Sequence, residues 1–343
     1  MVRRVGIAWA LTLTVAASVH AQSGSSGTST GQSATASQTP SSSSATTEET
    51  RPATTTFYGD TGLWFVPTAE VLPSGKWSVS GYRRGTNYIE GYTNVGDFAG
   101  TFGVGIGNRA EIFGSFLFDT RVDRDTVPLF INDPTFGGIV FRYPRVNQAW
   151  TGDNVGDLYL GAKVNLMSEA DHKPAAVAIR GIVKAPTGNS IVSTGKADFS
   201  IDAIVSKEMA QLVEASGYAG WQFLGQPDFT TGPSGAFEWG FGVGFPSRNI
   251  IRVSAEVNGI VPNSSTITLT SPTAVVGTDL SVPPLTSNVE SIHRATFAVT
   301  AQGHSGFFGG VGVSWNVPTQ ARNTAFTADD QFGDYWDWQV RIG

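Results

Sequence analysis

From about Trp77 to the end of the chain, apolar residues recur at every second position over runs of about nine to eleven residues, each closed by a break. A period of two belongs to a strand with two unlike faces. The clearest run is AFEWGFGVGF. Phe237, Trp239, Phe241, Val243 and Phe245 share one face, and Glu238, Gly240, Gly242 and Gly244 the other. Leu158, Leu160, Ala162, Val164 and Leu166 likewise oppose Asp157, Tyr159, Gly161, Lys163 and Asn165. Phe199, Ile201, Ala203 and Val205 oppose Asp198, Ser200 and Asp202. Ile251, Val253, Ala255 and Val257 oppose Arg252, Ser254, Glu256 and Asn258, and Trp336, Trp338, Val340 and Ile342 oppose Asp337, Gln339 and Arg341. No stretch shows a convincing helical period.

A soluble sandwich also has one apolar face per sheet, but its strands average ~5–6 residues and its outer faces are charged rather than glycine-rich. Strands of about ten residues with a polar, glycine-rich second face fit a transmembrane barrel, with lipid outside and a polar interior. The pattern therefore predicts an all-β fold: a closed antiparallel transmembrane β-barrel of about twelve strands, since lipid cannot satisfy an open sheet edge. The strands are placed at 76–84, 99–107, 110–118, 156–167, 175–184, 197–206, 212–223, 236–245, 249–259, 291–301, 307–317 and 335–343. Short connections (GNR, SEADHKP, SKEMAQ, FPSR, QGHSG) alternate with longer ones such as 119–155, 260–290 and 318–334. Short periplasmic turns, longer outer loops and both chain ends in the periplasm are expected of such a barrel. Trp77, Trp221, Trp239, Trp315, Trp336 and Trp338 fall near strand ends or on the lipid face, which suits interfacial girdles and equally suits ordinary β-propensity.

Composition adds a targeting history. Of 343 residues 41 are Gly, only 15% are charged, and none is Cys. Disulfides, thiol catalysis and Cys-ligated metals are thereby excluded. MVRR, an uncharged apolar run and VHAQ read as a signal peptide over residues 1–21. Residues 22–56, rich in Ser, Thr and small residues, are expected to be a disordered periplasmic leader. Residues 57–75 form a plug-like segment, and 76–343 the barrel. The expected address is the bacterial outer membrane, with membrane lipid and the assembly machinery as partners. A net charge of -6 without basic tracts argues against nucleic acid.

Candidate chemistry lies on the polar faces. The predicted pore lining is Glu111, Asp157, Lys163, Arg180, Lys184, Asp198, Asp202, Glu214, Glu238, Arg252, Glu256, Arg294, Asp337 and Arg341. Mixed charge can tune which solutes enter a pore, or can pair across a closed lumen and fill it. GVGIG, Gly103 to Gly107, lacks the following helix that a phosphate-binding loop needs. GHSGF, with His304 beside Ser305, lacks the spacing of a nucleophile elbow. His172, His293 and His304 sit at no metal-ligand spacing, so no catalytic residue, metal or cofactor is expected. The charged stretch DTRVDRDTVPLFINDP, Asp119 to Pro134, is taken as a solvated outer loop; the alternative is an inward fold that narrows the pore.

TGLWFVPTAEVLPSGKW, Thr61 to Trp77, does not suit a paired wall strand because it carries Pro67 and Pro73. A further strand would also make the count odd. A short extended piece from Gly62 to Val66 and a turn into the first strand are expected, at the periplasmic mouth or partly within the lumen. Gly62, Leu63, Trp64, Pro67, Thr68, Ala69, Pro73 and Gly75 are its candidate plug residues. GLWFVPTAEVLPSGKWSVSGYRR, VGIGNRAEIFGSF and VKAPTG resemble Gram-negative outer-membrane barrels of the porin/transporter type. That group includes barrels associated with exopolysaccharide export and with phenol-degradation (meta-pathway) transport. The chain is also similar to the barrel half of OmpA-like proteins. The resemblance implies a β-barrel, an outer-membrane address and no enzymatic activity. Two functions remain open: a passive channel or transporter for small solutes, or a structural or assembly barrel with an occluded lumen, linked to envelope or polysaccharide components.

Overall fold

The structure, a computed structural model, describes residues 53–303, 305–317, 327–328 and 336–343. The signal peptide, the leader up to residue 52 and His304 lie outside the described residues. Twelve wall strands are described: β1 (Trp77–Tyr88), β2 (Thr93–Ile106), β3 (Ala110–Arg124), β4 (Leu158–Met167), β5 (Ala176–Ala185), β6 (Asp198–Met209), β7 (Val213–Phe223), β8 (Gly235–Phe245), β9 (Ile251–Pro262), β10 (Ile292–Gln302), β11 (Phe308–Asn316) and β12 (Trp336–Ile342). Each pairs antiparallel with its chain neighbours. The ring closes between β1 and β12, with Gly81 opposite Ile342 and Arg83 opposite Val340. A closed ring leaves no unpaired edge, as an apolar surround demands.

The period-two code holds through the wall. Phe102, Ile112, Leu160, Val164, Ile201, Phe241, Val253, Phe297 and Trp338 are exposed on the outer face. Glu111, Lys163, Arg180, Asp202, Glu256 and Arg341 are buried on the inner one. Trp77 and Trp315 also face outward. GVGIG lies in β2 and the turn after it, which leads to another strand and not to a helix.

Two expectations about the longer loops need correction. The first three strands run beyond their predicted ends, and only residues 89–92 link β1 to β2. Near this mouth three of their inward residues, Tyr88, Val95 and Val122, pack on Val140, Val146 and Val192 of the loops above, while Thr93 and Arg124 beyond them are buried and polar. The inner face therefore mixes apolar with polar residues near this mouth, and the polarity code stops before the strands do.

The stretch Asp119 to Pro134 is not a solvated loop. Asp119 to Arg124 belong to β3, and the chain beyond them folds inward as a lid. Leu129, Phe130 and Ile139 pack with Ile267, Leu269, Val275 and Val289 from the β9–β10 connection. Arg124 ties the lid down by donating to the carbonyls of Leu129 and Gly138, each at 2.8 Å.

Candidate functional site

Residues 54–72 lie inside the barrel. Leu63, Trp64, Val66 and Ala69 are completely buried, and Thr54, Thr55 and Thr56 are buried as well. The expected leader boundary at residue 56 is therefore too late. Ser and Thr read as disorder where the chain is taken to be in water; here their hydroxyls and backbone find partners on the wall. The segment also sits deeper than the mouth position expected for it. Thr55 bridges Thr61 and Gly62 bridges Pro67, so the chain folds back on itself twice. Leu63 N–H donates to the Val66 carbonyl at 2.9 Å, closing the turn at its centre.

Wall side chains satisfy most of the remaining backbone. The Glu256 carboxylate of β9 accepts from three consecutive N–H groups, Trp64 and Phe65 at 2.8 Å and Val66 at 2.9 Å. Glu111 of β3 accepts from the Thr61 N–H at 2.8 Å, the Thr61 hydroxyl at 2.6 Å and the Leu72 N–H at 3.0 Å. Lys163 of β4 donates to the carbonyls of Thr61 (2.9 Å) and Thr68 (2.8 Å) and pairs with Glu111 at 2.9 Å. Arg180 of β5 joins Asp60 (3.2 Å) to Asp202 of β6 (2.7 Å). Arg341 of β12 donates to the carbonyls of Thr55 and Leu63 and lies 4.4 Å over the Trp64 ring. Arg252 reaches the Thr54 hydroxyl at 3.2 Å and Glu214 at 3.0 Å, while Arg294 stacks 4.1 Å over Phe65. Buried charges are costly unless paired and hydrogen-bonded. Here the segment supplies the partners that water would supply in an open lumen.

Small wall residues make room for it. A Cβ on Gly103 would stand 2.7 Å from the Gly59 carbonyl oxygen, and one on Gly242 would stand 2.6 Å from Leu63 Cδ1. Gly59 itself has φ +99, and its Cβ would strike the carbonyls of Phe102 and Gly114 at 2.6 Å. Of the candidate plug residues, Pro73 and Gly75 lie past the buried stretch, in the exposed turn that hands the chain to β1.

The predicted lining residues all fall on the inner face, but they divide into two groups. Glu111, Lys163, Arg180, Arg252, Glu256, Arg294 and Arg341 touch the inner segment, with Asp202 and Glu214 paired behind them. Asp157, Lys184, Asp198 and Glu238 lie nearer the lid. Lys184 pairs with Asp198 at 2.7 Å and stands 3.7 Å from Asp157, and Glu238 accepts from Gln222 at 2.6 Å. Asp337 pairs with Arg83 and accepts from Asn94 at 2.8 Å. Sequence reasoning missed Ser206, which accepts from the Ala69 N–H at 3.0 Å, and Ser216, which donates to the Pro67 carbonyl at 2.5 Å. It also missed Thr300, which accepts from the Trp64 indole at 3.2 Å. All three occupy inward positions of the period-two code; only their lack of charge hid them. Among the described residues no group of three metal-ligating side chains occurs.

No protein-family model matches the chain, and no curated protein matches it. Among solved structures it is similar to the COG4313 outer membrane channel from Pseudomonas putida F1, with TM-score 0.50, 10% identity, and coverage of 80% of this chain and 96% of that one. Weaker likenesses are to OmpT (in-vitro folded), an outer membrane protein of Vibrio cholerae, with TM-score 0.28, 8% identity, and coverage of 79% and 99%. An anion-selective porin from Comamonas acidovorans gives TM-score 0.26, 9% identity, and coverage of 78% and 97%. The likeness is one of fold: a closed antiparallel β-barrel.

The lid end carries an acid pair outside the wall strands. Glu290 accepts from the Ile89 N–H at 3.0 Å, and Glu90 is buried beside it. Burial first, and then the Glu290 charge, push Glu90 up to about 8, while the nearby Arg124 opposes the shift; burial pushes Glu290 up to about 7. Arg142 lines the same pocket. A carboxyl raised by folding contributes stability that is full below its ordinary range and is lost as pH rises through the folded value. The lid contact is therefore expected to weaken progressively as pH rises above 4.5 and to have lost this contribution by about pH 8. Limited proteolysis of the folded protein should cut the lid faster at pH 9 than at pH 6, and Glu90→Gln should flatten the difference. Equal cleavage rates at both pH values in the unaltered protein would count against this.

Proposed function

We propose that this chain is an outer-membrane channel for small solutes, and that residues 54–72 are its plug. The observation that carries the reading is where the segment enters and leaves. Thr54 meets Arg252, beside the first residue of β9, and Gly75 donates to Gly105 near the last residue of β2. Both positions are at the short-turn mouth. The segment can therefore leave by that mouth without parting any wall strand. Its bonds to the wall are side-chain bonds, which water can replace.

In this reading the exposed apolar belt meets lipid, the short turns and the leader face the periplasm, and the barrel enters the membrane through the outer-membrane assembly machinery. The protein works without catalysis, metal or cofactor. A second reading, a permanently occluded structural barrel tied to the envelope or to polysaccharide export, is favoured by the presence of both plug and lid.

A lock separates the two. The hydroxyls of Thr55 and Ser80 are 2.9 Å apart, a spacing compatible with a disulfide, and the chain has no other cysteine. In planar bilayers the reduced Thr55→Cys/Ser80→Cys protein should show discrete openings, and oxidation should abolish them reversibly. Folded, unaltered protein that never conducts would leave the structural reading standing and sink the channel.

A further inference from the structure

One row of inward positions crosses the wall from β3 to β8. The strand registers place Glu111 opposite Lys163, Lys163 opposite Arg180, Arg180 opposite Asp202, Asp202 opposite Gly220 and Gly220 opposite Glu238. Asp60 of the plug enters this row, with its carboxylate 3.2 Å from Arg180 and 3.6 Å from Lys163. Gly220 alone in the row has no side chain, so Asp202 and Glu238 meet above it. A Cβ there would stand 2.1 Å from Asp202 Oδ1. The other oxygen of each carboxylate is engaged: Asp202 Oδ2 accepts from Arg180 at 2.8 Å, and Glu238 Oε2 from Gln222 at 2.6 Å. Asp202 Oδ1 and Glu238 Oε1 receive no N–H or hydroxyl donor among the described residues, and the two residues are only 1% and 5% exposed. Their partner is each other, because the two side chains are hydrogen-bonded. An ionised carboxylate only accepts, so a hydrogen bond between two carboxyls needs a proton on one of them.

We propose that Asp202 and Glu238 share one proton while the plug is in place and release it to water when the plug withdraws, so that pH gates the channel. The inference rests on the channel reading and adds its regulation. The groups that face the pair explain why the proton is held. Arg180 of β5 divides its guanidinium between Asp202 and Asp60. The rings of Tyr218 on β7 and Tyr58 on the plug lie 5.3 and 6.0 Å from that guanidinium and bring no charge of their own at neutral pH. Arg142 of the lid reaches the pair through Gln222. Lys184 and Asp198, across a small cavity from Glu238, are paired with each other at 2.7 Å. Arg180 is therefore the cation in direct contact, and Asp60 already draws on it. Two ionised carboxylates side by side in this dry place would repel each other with nothing between them. Withdrawal takes Asp60 away, leaves Arg180 to Asp202 alone and hydrates both carboxylates, and the proton leaves. The plugged state thus binds one proton more than the open state. It is favoured as pH falls and loses ground as pH rises, by up to about tenfold in the open-to-closed ratio per pH unit.

The test uses the full chain carrying Glu90→Gln, which takes the lid's acid pair out of the comparison, and two measurements. Infrared spectra of the folded protein at pH 7 should show a protonated-carboxyl band that disappears in Glu238→Gln. The Gln amide can donate to Asp202 Oδ1 in place of the shared proton, so this variant keeps the contact and loses the titration. In planar bilayers the open-to-closed ratio should rise about tenfold or more from pH 6 to pH 8, and less than about twofold in Glu238→Gln. Asp202→Asn should lose the same band and the same pH dependence, and serves if Glu238→Gln does not fold; heat-modifiable gel mobility shows which variants do. A band left unchanged by both substitutions overturns the proposal. So does a pH dependence that survives them, or openings that grow rarer as pH rises. The infrared measurement needs no conductance, so the two readings fail separately. A protein that shows the band and never conducts loses the channel, and the gating with it, and keeps the proton site; one that conducts without the band loses only the proton site.

Discussion

Deleting residues 54–72 should turn rare openings into a continuous ohmic current at all voltages, the largest effect that we expect from any change to this protein. A barrel of eight strands is filled by its own interior side chains, whereas one of twelve is wider and needs something to fill it. Here the filling is the segment itself. Its removal gives water access to Glu111, Asp202, Glu214 and Glu256 and to Lys163, Arg180, Arg252, Arg294 and Arg341, all now buried. Four acids against five bases should make the opened pore weakly anion-selective, with a reversal potential only a little off zero in a salt gradient. The deleted protein should still show heat-modifiable mobility, because the ring closes through β1 and β12 without the segment. It should melt earlier, because Phe57, Trp64 and Phe65 leave the core that they share with Tyr82 and Leu117. A folded deletion protein with unchanged conductance would mean that the lid, and not the segment, closes the lumen.

The second large effect is expected from one carboxylate. Glu256→Ala leaves three consecutive buried N–H groups without their acceptor. Each unsatisfied group costs about 1–3 kcal/mol. The sum, several kcal/mol, falls only on the plugged state, because in the withdrawn state water serves the same groups. The open population should rise on the order of a hundredfold, visible as open probability in single-channel records. Glu256→Gln keeps one acceptor oxygen and should fall between the two. Open probability at the unaltered level in Glu256→Ala would show that Arg341, Lys163 and Glu111 hold the segment by themselves.

Much of the wall was legible beforehand because a strand in an apolar surround has a strict code. Every second residue must be apolar on the outside, and the inward set is free to carry Glu256, Lys163 and Arg341. That freedom placed all the charged candidates on the correct face. The same code became unreadable at the lid end. There Val95 and Val122 face inward yet are apolar, because a second, local core covers them. The lid was hidden for a related reason. Its apolar residues, Leu129, Phe130 and Ile139, are scattered among charges with no period, and their partners Ile267 and Val289 lie more than a hundred residues away.

The inner segment shows the same division. The sequence by itself determined that Thr61 to Gly75 is not a wall strand, through its two prolines and the parity of the count, and that the inner wall is glycine-rich and mixed in charge. Only the tertiary structure decided that the wall charges are there to be hydrogen-bonded by this chain. It also decided that the Ser/Thr stretch from Thr54 belongs with the segment, and that the lumen is filled. The physical reason is that these contacts join residues far apart in sequence, as in Trp64 with Glu256 and Thr55 with Arg341. They use backbone N–H and C=O groups, which every residue carries alike. A carboxylate that will clasp three N–H groups is spelled no differently from one that will face water.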